Sequence, residues 1–259
     1  MDFLFTPEAI SSLLTLTFLE IILGIDNIVF ISIVVGKLPE HKRKRATHIG
    51  LILALVLRIA LLFAISWLVA MQTTLFHIDT EHVSASINGQ SLILFAGGLF
   101  LLYKSTKEIH EKMDRAGEQS EKVAQKSGNT FYRVLIQILL IDAVFSVDSI
   151  LTAVGMTNGL DGAIWIMIIA VVISILVMLL FAHPVSKFVH QHPSLQILGL
   201  SFLLLIGFML LAEGAHLSHL EVMQQSVGTI PKGYLYFAIA FSLLVEFLNM
   251  RFRKKKTSV

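Results

Sequence analysis

The chain has 259 residues, of which 55% are hydrophobic and only 15% are charged, and its mean hydropathy is +0.78. A soluble domain carries about 25% charged residues, so this composition excludes an ordinary soluble protein and indicates a polytopic membrane protein. The absence of cysteine excludes disulfides, thiolate metal sites and cysteine nucleophiles, and the small net charge of +2 hides a strong segregation of the basic residues.

Seven stretches are apolar enough to cross a bilayer, which takes about 20 mostly apolar residues. They are residues 9–35, 47–71, 91–106, 131–157, 161–183, 194–213 and 232–250. The third is the weakest because its apolar run ends at Tyr103 and Lys104. His183-Pro184 is expected to end or kink the fifth. The sequence therefore predicts an all-α polytopic membrane protein with seven transmembrane helices.

The basic residues set the predicted orientation, because positively charged connections stay in the cytoplasm. All but two of the 20 Lys and Arg residues fall in the first, third and fifth connections and the C-terminal tail; the exceptions are Arg58 and Lys232. The N-terminus is predicted outside and the C-terminus inside. The early residues carry no Lys or Arg, so no cleaved signal peptide is expected. The basic tail is expected to meet anionic lipid heads, and no nucleic-acid role is expected.

Helices one and four carry the same acidic pattern at a constant offset of 122 residues. The aligned pairs are Glu20 with Asp142, Gly24 with Ser146, Asp26 with Asp148, and Asn27 with Ser149. An odd number of helices separates the copies, which reverses the direction of the second one. The pattern therefore predicts two inverted three-helix repeats, an architecture that places transporter sites near the bilayer midplane.

This repeat predicts four segments. Residues 1–103 form the first three-helix repeat, 104–130 a charged cytoplasmic linker, 131–220 the second three-helix repeat, and 221–259 the seventh helix with its basic tail. The mixed charges after Lys104 are typical of a solvated helix stabilised by i,i+4 pairs.

Acidic residues at membrane depth are expensive and mark a functional pathway. The sequence places six there and one basic residue, Arg58: the acids are Glu20, Asp26, Asp142, Asp148, Glu213 and Glu246. If Arg58 neutralises one carboxylate, five carboxylates have no basic partner, which favours a site that binds a cation or protons. Their oxygen ligands suit hard divalent cations and not Cu⁺.

Two arrangements of the acids stay open. On a regular helix Asp26 and Asp148 lie about 120° away from the stripe that holds Glu20 and Asp142. Either each helix has a wide polar face, or it unwinds near Gly24 and Ser146.

Two other interpretations of the polar residues also stay open. A membrane Asp can simply hydrogen-bond a neighbouring helix. Glu213, His216 and His219, which are three residues apart, could bind metal at the outer end of helix six.

With these residues in view, the chain resembles the TerC family of integral membrane proteins. The motifs that carry the resemblance are residues 18–29 and 142–150, with support from 98–104 and 207–214. The resemblance implies a multi-pass protein of the bacterial inner membrane, some relatives of which export manganese, with the acids of the two motifs as the metal site. No further domain is expected after helix seven.

Together these patterns predict an exporter of a divalent metal, with Mn²⁺ preferred, that alternates access between its halves. Asp26, Asn27, Asp148 and Ser149 are the predicted ligands, and Glu20 and Asp142 are outer ligands or proton carriers. Gly24, Ser146 and Glu213 are accessory residues. No enzymatic activity and no permanently bound cofactor are expected, since the metal is the substrate.

Other functions stay open: an exporter of cationic solutes, and a scaffold or stress protein without transport. An intramembrane aspartyl protease is disfavoured because its Gly-x-Gly-Asp motif is absent at Asp26 and Asp148. A retinal protein is excluded because residues 233–250 contain no Lys. The expected partners are the lipid bilayer and the metal ion; protein partners are undefined and a homo-oligomer is left open.

Overall fold

The computed structural model describes residues 6–64, 73–80, 82–117, 130–157 and 159–256, without the side chains of residues 25, 26, 115–117 and 253–256. These ranges hold seven helices and four short strands. The helices are α1 (Pro7–Val35), α2 (Glu40–Phe63), α3 (Gly89–Gly117), α4 (Thr130–Thr157), α5 (Ala163–Gln191), α6 (Pro193–Leu217) and α7 (Lys232–Lys256). The strands are β1 (Thr74–Asp79), β2 (Val83–Asn88), β3 (Glu221–Val222) and β4 (Gln225–Ser226).

The prediction of an all-α polytopic membrane protein is confirmed. Within the described ranges, six helices are long and apolar enough to cross a bilayer, and α3 is the helix that falls short. Its apolar part ends at Tyr103 and Lys104, and the helix continues through charged residues. The salt bridge from Lys104 Nζ to Glu108 Oε1, 2.9 Å long, is one of the expected i,i+4 pairs. The predicted helix is thus confirmed as far as Gly117, although Glu108 is buried and not solvated, and residues 118–129 lie outside the described ranges.

The helix ends differ from the predicted ones where charged residues or proline join a helix. α2 begins at Glu40 and not at the predicted residue 47, since the basic residues before 47 form the first turns of the helix. Its predicted end at residue 71 lies outside the described residues. α5 runs past Pro184 to Gln191, so of the two predicted effects of His183-Pro184 the end of the helix is wrong, and the kink stays a prediction. Membrane helices tolerate an interior proline because neighbouring groups can satisfy the freed backbone carbonyl.

The chain packs as two compact units, and each unit takes helices from both halves of the sequence. The four-helix unit contains α1, α2, α4 and α5; the sheet-bearing unit contains α3, α6, α7 and the four strands. Each unit thus combines helices of the predicted segments 1–103 and 131–220, and the division of the chain into these segments stays a prediction. The physical reason is that helices of one segment bury their faces against helices of the other.

In the four-helix unit, α1 packs mainly on α5 and α2 packs on α4. α1 and α5 run parallel: Gly24 lies against Met178, and Gly36 lies against His190, the same number of residues further along both helices. α2 and α4 also run parallel, since Gly50 lies against Ile138 and Arg58, further along α2, contacts Asp142, further along α4. The predicted inverted repeat maps helix one onto helix four and helix two onto helix five. Under this mapping the α1–α5 pair becomes the α4–α2 pair, so the two pairings agree with the predicted repeat.

In the sheet-bearing unit, α3 and α6 run antiparallel at close range. A Cβ on Gly98 would lie 2.8 Å from the carbonyl oxygen of Gly207, and a Cβ on Gly214 would lie 3.2 Å from that of Ser91. Small residues at such positions allow two backbones to approach. The Ser194 hydroxyl on α6 donates to Glu246 Oε1 on α7 over 2.5 Å, which gives this acid a structural partner.

The sheet was not predicted. Its antiparallel strands lie in the order β1-β2-β3-β4, and the pairing of Val83 with Val222 joins the connection before α3 to the connection after α6. They are the second and sixth connections between the predicted helices, which the predicted topology places on the side opposite the basic connections. Their pairing places them at the same end of this unit, as the predicted topology requires.

Candidate functional site

The two acidic motifs lie on continuous helices. α1 is helical from Pro7 to Val35 and α4 from Thr130 to Thr157, without interruption at Gly24 or Ser146. The two helices are therefore not unwound at these positions, and a wide polar face that includes Asp26 and Asp148 stays a prediction. Since helical carbonyls bond within the helix, side chains are left to supply the polar groups of the site.

A buried arginine forms the centre of this polar face. Arg58 on α2 has 2% exposure, and its guanidinium pairs with two carboxylates. Nη1 contacts Glu20 Oε2 on α1, and Nη2 donates to Asp142 Oδ1 on α4 over 2.8 Å. Nε lies 3.3 Å from both oxygens of Asp142. The rigid donor fork of arginine suits such a double contact, and it ties three helices together.

This pairing changes the charge balance inferred from the sequence, which allowed Arg58 one carboxylate. It holds two, and they are the aligned acids of the predicted repeat. Glu20 and Asp142 share one positive charge instead of standing as bare ligands. Ser146 helps to position Asp142, because its Oγ donates to the backbone oxygen of Asp142 over 2.6 Å and lies 3.3 Å from Oδ2.

Asn27 joins the same cluster from α1. Its Nδ2 donates to Asp142 Oδ1 over 3.4 Å, which directs the amide oxygen to the other side. That oxygen, Oδ1, is buried and has no hydrogen-bond partner among the described residues. A buried acceptor without a partner loses about 1–3 kcal/mol of solvation. Asn27 is therefore a ligand position that the structure leaves open to a donor or a cation.

The other predicted ligands lie on the same two helices. Asp26 is in α1 directly before Asn27, and its side chain lies outside the described part of the chain. Asp148 is half-buried on α4, and Ser149 is buried, with its Oγ donating to the backbone oxygen of Ser146 over 3.4 Å. The structure thus brings Glu20, Asn27 and Asp142 together around Arg58, while the ligand role of Asp26 and Asp148 stays a prediction.

Gly24 has a packing role. A Cβ at this position would lie 2.8 Å from Met178 Cε and 3.2 Å from Cγ, below ordinary contact distance. The absent side chain allows α1 to lie close to α5. Because α1 presents Glu20 and Asn27, this close approach also sets the position of the polar face.

The second candidate cluster does not form. Glu213 is half-buried near the end of α6, which ends at Leu217, so His219 leaves the helical face that would align it with Glu213 and His216. Among the described side chains, a set that leaves out Asp26, no three His, Cys, Asp or Glu residues are placed to hold one metal ion. The possible metal site of Glu213, His216 and His219 is therefore not formed, and the accessory role of Glu213 stays a prediction.

Sequence comparison gives these observations a family context. Residues 5–258 match the profile described as integral membrane protein TerC family. The chain is 44% identical over 254 residues to the UPF0053 inner membrane protein YoaE of Escherichia coli K12, covering 98% of this chain and 45% of YoaE. It therefore spans about half the length of that relative.

Two relatives of similar length also match. The UPF0053 inner membrane protein YgdQ of E. coli K12 is 43% identical over 249 residues, covering 96% of this chain and 95% of YgdQ. A UPF0053 protein of Haemophilus influenzae is 43% identical over 248 residues, covering 96% of both chains. No solved structure matches. Together with the six membrane-length helices, these relatives identify a multi-pass protein of the bacterial inner membrane.

Proposed function

The chain belongs to the TerC family of integral membrane proteins, and from this premise we propose that it exports a divalent metal ion, with Mn²⁺ as the preferred cargo. The proposed route passes the polar face of α1 and α4 in the four-helix unit. The chain acts in this proposal as a transporter and not as an enzyme. It holds no permanent cofactor, and the metal ion is its substrate.

Charge supports a cationic cargo. The two motifs contain four acids, Glu20, Asp26, Asp142 and Asp148, and the apolar stretches of the same unit contain one arginine, Arg58, which pairs with Glu20 and Asp142. When all are ionised, three negative charges remain in excess at membrane depth. Such an excess is stable only if water, protons or a cation compensates it. A divalent ion would remove most of the excess in one binding step.

The observation that carries the proposal is the amide of Asn27. Its Nδ2 is held by Asp142, and its Oδ1 points into buried space without a described partner. An oxygen held in this way is a hard, neutral ligand, and with the Asp26 and Asp148 carboxylates and the Ser149 hydroxyl it forms an all-oxygen set. Mn²⁺, Mg²⁺ and Ca²⁺ prefer such sets.

Glu20, Asp142 and Arg58 act on this site as positioning residues. Arg58 fixes both carboxylates, and Asp142 in turn fixes the Asn27 amide. The cluster therefore keeps the oxygen ligand directed at the proposed metal position while lowering the local negative charge. Each repeat contributes one acid to each role. Glu20 and Asp142 hold the arginine, and Asp26 and Asp148 bind the cargo.

Manganese content of cells tests the proposal. After a Mn²⁺ challenge, cells with the native chain should hold less manganese than cells without it, and the Asp148→Asn variant at equal membrane abundance should lose this effect. The matched control is Asp161→Asn, which makes the same substitution at an exposed position between α4 and α5. Equal manganese in every strain would contradict export. It would favour a cationic solute or a scaffold, which tolerates loss of the acids.

A further inference from the structure

A polar cavity lies at one end of the four-helix unit, and Arg58 is not among its lining residues. Its volume is about 430 Å³, and the first turns of α2 and the last turns of α5 form its wall. The lining residues are Glu40, Arg43, Lys44, Thr47, His48, His183, Ser186, Lys187, His190 and Gln191. All of them carry a polar side chain. The cavity therefore suits a hydrophilic ligand and not an acyl chain.

The wall is strongly cationic. It contains three permanent positive charges, on Arg43, Lys44 and Lys187, against the single carboxylate of Glu40. Three histidines add further donors and become cationic on protonation. An anion is the ligand that such a wall favours. The hydroxyls of Thr47 and Ser186 can complete its hydrogen bonds.

Parts of this wall are held in place before any ligand arrives. Arg43 Nε donates to the Leu38 carbonyl over 2.9 Å, and its Nη2 donates to the Gly36 carbonyl over 3.1 Å, which anchors the guanidinium at the end of α1. His48 Nδ1 donates to the Lys44 carbonyl over 2.8 Å, so the other ring nitrogen, Nε2, can donate to a ligand only when the ring is protonated. The two bonds from Arg43 hold its guanidinium in place, so this group loses little freedom when an oxyanion binds its remaining N–H groups.

The position favours a phosphate group. The cavity lies among the basic residues of the first and fifth connections, which the topology places in the cytoplasm. Basic pockets between transmembrane helices on this side recognise phosphorylated lipid heads. The volume exceeds that of a bare phosphate, so it leaves room for a substituent.

We propose that this cavity is a binding site for a phosphate group on the cytoplasmic side of the membrane. The source is either the head of an anionic phospholipid or a soluble phosphate compound. Recognition rests on Lys44, Lys187 and Arg43, and it is independent of the transported cation. The site thus ties the beginning of α2, the helix that carries Arg58, to the end of α5.

Binding to the purified full-length chain in detergent tests the proposal. The probes are short-chain phosphatidylglycerol, the zwitterionic phosphatidylcholine of the same chain length, and inorganic phosphate. Lys44→Gln with Lys187→Gln removes two exposed cavity charges. Lys42→Gln with Arg45→Gln removes two charges from the same end of α2 outside the cavity lining. Unchanged helicity and gel-filtration profiles show that each variant is folded.

The expected result is saturable binding of phosphatidylglycerol, tighter than that of phosphatidylcholine, which weakens about tenfold or more in the cavity variant and less than twofold in the control. If inorganic phosphate binds and competes as tightly as phosphatidylglycerol, the site fits a soluble phosphate compound; if phosphatidylglycerol binds much more tightly than inorganic phosphate, the site fits the lipid head. Equal weakening in both variants, or no saturable binding of either phosphate probe, would overturn the proposal and leave the basic residues with orientation alone.

Discussion

At the residue scale, Arg58 decides how the acids of the four-helix unit behave. It is buried, and it holds Glu20 and Asp142 together from two other helices. Removing one partner of a buried ion pair leaves an uncompensated charge, which destabilises a protein far more than removing the whole pair. The cluster is therefore both a clamp between helices and the electrostatic counterpart of the proposed cation.

Arg58→Met should lower the free energy of unfolding by about 3–5 kcal/mol, because two buried carboxylates lose their shared cation. The melting temperature in detergent measures this loss. Arg45→Met, at an exposed position of the same helix, should change it little. The triple variant with Arg58→Met, Glu20→Gln and Asp142→Asn should recover most of the stability. A triple variant as unstable as Arg58→Met would contradict the charge argument.

Asn27→Leu should weaken Mn²⁺ binding roughly tenfold, since one oxygen ligand worth about 1.4 kcal/mol is removed from the site. Isothermal titration of the purified variant with Mn²⁺ measures this effect. Thr17→Val, which removes another buried polar oxygen from α1, is the control and should bind Mn²⁺ as the native chain does. Native affinity in Asn27→Leu would exclude the amide as a ligand.

The sequence identified the acids of this site and their repeat, because charges in an apolar helix stand out without any knowledge of contacts. It did not identify the partners of Arg58. Helical periodicity places Glu20 and Asp142 on faces of their own helices, but which helix packs between them depends on tertiary packing. The orientation of the Asn27 amide depends in the same way on the neighbouring Asp142.

At the element scale, glycines set the distance between parallel helices. Gly24 lies against Met178 and Gly50 lies against Ile138, so each main helix pair of the four-helix unit has a close contact without a side chain on one partner. These contacts bring the polar faces of α1, α2 and α4 near enough for one arginine to reach two acids.

Gly24→Ala should destabilise the protein by about 1–3 kcal/mol, because the new methyl group overlaps Met178. Gly155→Ala is the matched control on α4, where a new Cβ meets nothing within 4 Å, and it should be neutral or slightly stabilising. Combining Gly24→Ala with Met178→Ala should cost less than the sum of the two single changes. Additive melting-temperature shifts in this double-mutant cycle would show that the two residues do not compete for space.

The helices could be predicted because long apolar runs have few alternatives in a membrane chain. Their ends were harder to predict: the basic turns after Glu40 and the residues after Pro184 are helical, although basic residues and an interior proline are both typical of a helix end or a connection. The sheet was missed because β1 and β2 are short polar strands whose pairing with β3 depends on a connection far along the chain.

At the scale of the whole molecule, the helix directions agree with the topology predicted from charge. α1 and α5 run parallel, α2 and α4 run parallel, and α3 and α6 run antiparallel, each within its own unit. A chain with its N-terminus outside and seven crossings gives the same directions. The orientation itself, outside or inside, rests on the basic connections and stays a prediction.

The absence of cysteine makes this orientation simple to test. A Gln225→Cys variant, in exposed strand β4, should react with a membrane-impermeant maleimide on intact spheroplasts. A Gln191→Cys variant, at the exposed end of α5, should react only after the membrane is permeabilised. The opposite labelling pattern would reverse the topology and with it the cytoplasmic placement of the phosphate cavity.

Mn²⁺ flux in proteoliposomes tests the central claim most directly. The native chain should carry Mn²⁺ down an imposed gradient, and the variant with Asp26→Asn and Asp148→Asn should not. The control with Asp79→Asn and Asp161→Asn, two exposed acids, should retain the native rate at equal incorporation. Native flux in the Asp26→Asn, Asp148→Asn variant would contradict the assigned site, and no flux in any protein would contradict metal transport by this chain.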